Sequence, residues 1–224
     1  TTGPYTLDFW RIRDRIRVRK NPRHWDAANV QNNVVDLLPI DNATTALTLY
    51  LSGQADIVWD KNLIPTELVD VLRQRADFHT FDYLGTYFVR FNLTRKPFND
   101  VRVRKALALV IDKKRITDKI TKAGEKVASC LTPPGTAHYQ PPEGLGYDPG
   151  LARKLLAEAG HGSGLELSLS LQGTDHAASF PVLFAKLAEV GVRVRTEVLG
   201  APEFWRRVRT GDVELFRGGW VADY

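Results

Sequence analysis

The sequence holds a single cysteine, Cys130, among its 224 residues. A lone cysteine excludes an internal disulfide and a cysteine-clustered metal site. It stands in "VASCLTPPG" with no histidine close in sequence, so it reads as a structural thiol rather than a nucleophile. Long apolar runs are missing as well: none approaches the roughly 18–20 residues that a membrane helix needs. No basic-plus-apolar leader opens the chain, and the start, "TTGPYTL", reads as mid-domain. The five histidines, His24, His79, His138, His161 and His176, never stand at metal-ligand spacing. No GxGxxG follows a strand, and neither a phosphate-binding GxxxxGKS/T loop nor a GxSxG elbow is present. The sequence therefore calls for no metal, no cofactor and no catalytic residue. It also has no internal repeat and no low-complexity segment.

What is present is ordinary globular composition, 43% hydrophobic and 25% charged, in a length that suits one large domain or two small ones. The net charge is +5. The richest basic run, "RIRDRIRVRK" at 11–20, alternates its charges with Ile12, Ile16 and Val18. That is period two, so one strand face is apolar and the other is arginine. An exposed sheet face or edge accounts for the run without a nucleic-acid partner.

The organisation changes near residue 95, from strand-rich to alternating α/β. The stretches 4–10 and 15–20 flank Arg13 and Asp14 as paired strands, and "VVDLLPI" and "ADIVW" read as two more. Between them, Asp41 or Asn42 caps a helix that Gly53 stops. "PTELVDVLRQR" reads as a helix with Pro65 at its first position. "TYFVRFNL" alternates Tyr87, Val89, Phe91 and Leu93 against Phe88, Arg90 and Asn92, the clearest strand of the chain. Asn99 or Asp100 then caps a helix, a second helix runs to Gly124, and a proline- and glycine-rich loop follows. The remainder, from "DPGLARKLLAEAG", is helix–strand–helix–strand–helix–strand, which implies crossover connections and a parallel sheet. Two glycosylation sequons, "NAT" at 42–44 and "NLT" at 92–94, sit in predicted regular structure and are discounted.

The order of several segments is more specific. "GPYTL", "RKNPRHWD", "LPIDNATTALTLYLSGQADI", "YLGTYFVRFNLTRKPFNDVRVRKALALVIDKKRI", "YDPGLARKLLAEAG" and "GWVADY" follow one another. Together they resemble the extracytoplasmic peptide-binding proteins of bacterial ABC importers, the oligopeptide/dipeptide-binding family of solute-binding proteins. The resemblance covers nearly the whole chain and implies an internal fragment of a longer protein. It departs after "LAEAG", where "HGSGLELSLS" replaces the family's longer Gly/Pro-rich turn.

The fold implied is α/β: part of a two-lobed periplasmic-binding-protein fold of the type II, peptide-binding class, with mixed sheets flanked by helices. Residues 1–95 would be a partial first lobe with a hinge strand, and 96–224 a partial second lobe. The function implied is capture of a di- or oligopeptide between the lobes, outside the cytoplasmic membrane in the periplasm or on a cell-surface lipoprotein, for delivery to an ABC permease. Relatives that take nickel complexes, sugars or opines keep a non-peptide solute open as the alternative.

By the same resemblance, Asp223 grips the peptide's α-ammonium, a charge-assisted hydrogen bond in a water-poor cleft. The backbone from Gly219 through Trp220 and Val221 to Ala222 offers N–H and C=O groups in the manner of strand addition. Gly218 and Gly219 leave that edge uncluttered, and Trp220 walls the cleft. Arg217 suits the peptide's carboxylate, with a surface ion pair as its other reading, and Arg209 is a further candidate. Tyr83, Tyr87 and Phe88 match an aromatic stretch that lines the cleft, and Tyr87 reads equally well as core. A hydrolase and a nucleic-acid binder are the rival classes. The first lacks a nucleophile–base pair in the sequence, and the second rests on net charge alone.

Overall fold

A computed structural model describes residues 2–173 and 180–221. The chain falls into two compact units that divide between Val69 and Asp70.

The first unit carries a three-stranded antiparallel sheet in the order β1-β2-β3, made of β1 (Tyr5–Arg11), β2 (Arg15–Lys20) and β3 (Val34–Leu37). The hairpin turn between β1 and β2 places Arg13 at φ 61° and Ile12 on the outside, so Ile12 does not join the apolar face expected of it. β2 is the central strand and not an edge. Its arginine face is neutralised locally. Arg17 faces Asp36 across the β2–β3 pair and donates two hydrogen bonds of 2.7 Å to it. Arg15 reaches the same carboxylate at 3.3 Å. Arg19 donates at 2.8 Å to Asp8, which sits where the β1–β2 register slips by one residue. The Arg17 hydrogen bonds, helped by Arg15, hold the Asp36 carboxyl down at about 2. Helix α1 (Ala43–Leu51) follows, with Asn42 rather than Asp41 as its cap, accepting from the Thr45 N–H.

Two expectations in this region fail. "ADIVW" at 55–59 forms no strand, and Ile57 and Trp59 lie 70% and 91% exposed. β propensity becomes a strand only beside a hydrogen-bonding neighbour. The helix expected at 65–75 shrinks to a 3₁₀ turn at Thr66–Leu68, which Pro65 precedes, and the single α turn α2 (Val69–Leu72).

The second unit is built on a mixed sheet in the order β4-β7-β5-β6, from β4 (Gly85–Phe91), β5 (Leu165–Gln172), β6 (Val192–Leu199) and β7 (Leu215–Val221). β5, β6 and β7 are parallel, as the alternating helices require, and β4 runs antiparallel to β7. β4 is hydrogen-bonded along its whole length to β7 and so belongs to the second compact unit.

Helix α3 (Val101–Leu109) is capped by Asp100, which accepts from the Arg102 N–H, rather than by Asn99. The next segment is shorter than expected: one turn, α4 (Lys113–Arg115), then a wide π-helical turn that ends on Lys122 in the left-handed conformation. Helix α5 (Pro149–Glu158) starts with Asp148 as cap and proline at its first position. Helix α6 (Phe180–Glu189) and helix α7 (Ala201–Thr210) connect β5 to β6 and β6 to β7.

Period two in β5 decides which helices cover which face. Leu167, Leu169 and Leu171 are buried against α3, α5 and α6 through Val103, Leu107, Leu156 and Leu187. Each such side chain contributes roughly 1.5–3 kcal/mol when fully buried. The opposite face carries Ser170, paired to Phe216 of β7, whose ring meets buried Phe204 of α7 edge-on at 6.2 Å. The altered turn after "LAEAG" still delivers β5: Gly164 takes φ 127°, and the Leu165 N–H bonds the Gly191 carbonyl at the start of β6.

Candidate ligand site at the end of β7

The approach to β7 is fixed by Asn92, just past β4. Its amide donates to the carbonyls of Gly211 and Val213 at 3.0 and 2.9 Å, while its oxygen accepts from the Thr94 N–H and hydroxyl. Arg95 adds bonds to the Gly211 carbonyl and the Asp212 carboxylate. Glu214 then reaches sideways and accepts from the Ser168 N–H at 2.8 Å, tying β5 to the start of β7. The sequon asparagines are thus structural: Asn92 secures this corner and Asn42 caps a helix.

From this anchored start β7 pairs unequally with its neighbours. Against β4 the register runs from Phe91↔Leu215 to Gly85↔Val221. Against β5 it consists of Leu169↔Leu215 and Ser170↔Phe216. β5 continues beside β6 to Gln172↔Leu199. Where β5 and β7 part, a cavity of about 260 Å³ opens. β5 lines it with Leu171 and Gln172, α7 with Phe204 and Trp205, β4 with Arg90, and β7 with Phe216 to Gly219. It lies at the carboxyl ends of parallel strands, the place where open α/β sheets bind ligands. A larger depression of about 400 Å³ shares Arg90 and Phe216 but takes the rest of its lining from residues such as Asn92, Val208 and Val213. It holds none of the residues expected from the sequence, so the smaller cavity is the candidate site.

Cross-strand pairing explains the two glycines. Phe88 stands directly opposite Gly218, and Tyr87 directly opposite Gly219. A Cβ on Gly218 would meet Phe88 Cε2 at 2.8 Å, and one on Gly219 would meet Tyr87 Cε1 at 2.9 Å. The space released by each missing side chain is therefore filled by the ring across the ladder, above or below the sheet. The hydrogen-bonding edge lies in the sheet plane, so this filling leaves it unaffected. At Gly85 the ring comes from two residues earlier in the same segment, not from across the ladder: Tyr83 Cδ1 lies 2.9 Å from its would-be Cβ.

The same alternation sorts the cations. Arg217 lies with Gly219 and Tyr87 on one face, its guanidinium carbon 4.7 Å from the Tyr87 ring centre. Arg90 lies with Phe88, Phe216 and Gly218 on the other, 5.0 Å from the Phe88 centre and 5.8 Å from that of Phe216. Both arginines line the cavity, and among the described residues no aspartate or glutamate does. Glu203 of α7 is committed elsewhere: hydrogen bonds from Arg206 and then Arg207 hold its carboxyl down at about 2. The lining is thus cationic and aromatic.

Of the residues expected from the sequence, Arg217 and Gly219 line the cavity, with Tyr87 against both. Trp220 and Val221 follow on β7, opposite Thr86 and Gly85 and partly exposed. Tyr83 is exposed beside Gly85. Arg209 sits exposed on the last turn of α7 and lines neither cavity. Ala222 and Asp223 lie outside the described residues. Arg90, Gln172 and Trp205 were not anticipated. The available signal was Arg90 itself, a cation set between aromatics in the alternation of β4.

An open α/β sheet with a cavity at its carboxyl ends defines a ligand-binding class, and solved structures place it more closely. A periplasmic oligopeptide-binding protein of Borrelia burgdorferi superposes on the chain with a TM-score of 0.87 at 25% identity, covering 100% of this chain and 45% of its own. Haemophilus influenzae OppA, solved in complex with RPPGFSPFR, gives 0.82 at 26% identity over 100% and 46%. The fold is that of the periplasmic peptide-binding proteins. The chain belongs to the bacterial extracellular solute-binding proteins, family 5, whose middle-region model matches residues 1–224. The periplasmic oligopeptide-binding protein OppA of Escherichia coli K12 is 34% identical over 236 aligned residues, and the chain spans 43% of its length.

Proposed function

We propose that this chain forms part of the solute-binding component of a bacterial ABC importer, which captures a peptide between two lobes and hands it to a membrane permease without altering it. Residues 1–95 would contribute to one lobe and the hinge strand, and 96–224 to the other. The protein would work outside the cytoplasmic membrane, in the periplasm or anchored at the cell surface as a lipoprotein.

The observation that carries this reading is the parting of β5 from β7 beyond Phe216, which opens a cationic, aromatic cavity beside the last residues of β7. A peptide backbone lying along Gly219, Val221 and Ala222 would be held through main-chain groups, which are indifferent to the guest's side chains. Arg217, with its fork of donors, suits a carboxylate of the guest. Asp223, two residues past the end of β7, suits its ammonium. The bound peptide in the H. influenzae relative supports the same class of ligand.

The test is to denature the purified intact protein and weigh what it releases. Intact peptides support capture. Cleaved products accumulating from an added peptide would support hydrolysis, and a non-peptide solute would replace the ligand class.

A further inference from the structure

We propose that the cavity between β5 and β7 is a carboxylate-selective subsite, in which Arg90 receives an acidic side chain of the captured peptide. This rests on the peptide-capture reading and adds to it a preference among guests.

The guanidinium of Arg90 is flanked by the rings of Phe88 and Phe216 at 5.0 and 5.8 Å. Stacking of this kind restricts a long, otherwise mobile side chain, so less freedom is lost when a ligand arrives. Among the described residues no carboxylate pairs with Arg90. Elsewhere on the same molecule arginines are taken up by acids: Arg15 and Arg17 by Asp36, Arg102 by Asp100, and Arg206 and Arg207 by Glu203. A guanidinium held on aromatic rings, at a cavity whose described lining carries no acid, has its donor fork available for a carboxylate from outside.

The rest of the cavity fits such a guest. Gln172 brings an amide to the wall, and Phe204 and Trp205 offer apolar surface to the methylenes of an acidic side chain. About 260 Å³ falls below the size of a drug-sized pocket and suits one side chain rather than a whole ligand.

The test is calorimetry on the intact protein with tripeptides of alanine carrying glutamate, glutamine or lysine at each position in turn, with free and amidated C-termini. At one position glutamate is expected to bind about tenfold more tightly than glutamine, the effect of one hydrogen-bonded charge pair, and lysine more weakly than either. Arg90→Gln should bring the glutamate-to-glutamine ratio to about one, while Arg90→Lys should keep part of it. Thermal melting of both variants confirms that they fold.

A loss in Arg90→Gln that is equal for every side chain and vanishes on amidation overturns the proposal, because Arg90 then holds the peptide terminus and not a side chain. Equal binding of glutamate and glutamine at every position overturns the proposal, and so does a ratio that survives Arg90→Gln. Failure of every peptide to bind sinks the capture reading itself, an outcome distinct from binding without preference.

Discussion

Replacing Gly218 and Gly219 by alanine, one at a time, should have unequal effects, because the two rings that fill their space differ in freedom to move. Neither glycine has the positive φ that would forbid a side chain, so the backbone tolerates alanine at both. Removing glycine from a strand gains about 0.5–1 kcal/mol in lowered unfolded-state entropy. Against that gain stands the ring. At Gly218 the new methyl lies 2.8 Å from Phe88 Cε2 and 3.4 Å from Cζ. Carbon contacts are optimal at about 3.5–4.0 Å, so the ring must retreat by roughly 1 Å. Phe88 is half-buried beneath the Arg90 guanidinium, and such overpacking costs about 1–3 kcal/mol. The net expectation is a loss of about 1 kcal/mol. At Gly219 the methyl lies 2.9 Å from Tyr87 Cε1, but Tyr87 is half exposed and can swing outward. It then forfeits its stacking with Arg217, worth about 0.5–1 kcal/mol at an exposed site, and the net change is near zero. Urea unfolding of the intact protein measures both. The same substitutions in Phe88→Ala and Tyr87→Ala backgrounds isolate the ring. Gly218→Ala should become neutral or stabilising once Phe88 is truncated. A penalty that persists without the ring, or a larger loss at Gly219 than at Gly218, would refute the reasoning.

Further expectations follow from the anchoring and the charges. Asn92→Asp removes two donors and sets a carboxylate against the carbonyls of Gly211 and Val213, so it should cost about 1–3 kcal/mol in urea unfolding, more than Asn92→Ala. Equal losses would show that the carboxylate meets no added repulsion from the two carbonyls. Asp36, held at about 2 in the fold against an ordinary 3.8, contributes stability that is fully present above pH about 4 and disappears as the pH falls toward about 2. Circular dichroism across that window should show an acid-induced loss that Asp36→Asn flattens. An identical acid limb in the variant would remove Asp36 from the explanation.

Much of the fold was legible because period two survives in the sequence wherever one sheet face is dry. "TYFVRFNL" and "LELSLSL" declare β4 and β5, and the succession of elements after residue 149 declares a parallel core. Caps were legible to within one residue, since Asn42 and Asp100 were each one of a named pair. What failed depended on neighbours. Residues 55–59 have strand propensity but form no strand, and 65–75 has helix-forming residues but keeps only a turn or two. The site was half visible. Arg217 and Gly219 stand inside a recognisable stretch. Arg90, Gln172 and Trp205 join them only because β4, β5 and α7 converge there from distant parts of the chain. The glycines illustrate the same limit. Their presence in β7 was plain, but that the rings of Phe88 and Tyr87 occupy their space is a consequence of register.

The central claim is that the ligand is a peptide whose ends are recognised by charge at the close of β7. Calorimetry of the intact protein with one tripeptide, free and N-acetylated, tests it most directly. If Asp223 grips the ammonium in a desolvated cleft, acetylation should weaken binding by at least about thirtyfold, the low end for truncating one side of a buried charge pair, and Asp223→Asn should erase most of that difference. Equal affinity for the two forms would contradict the account.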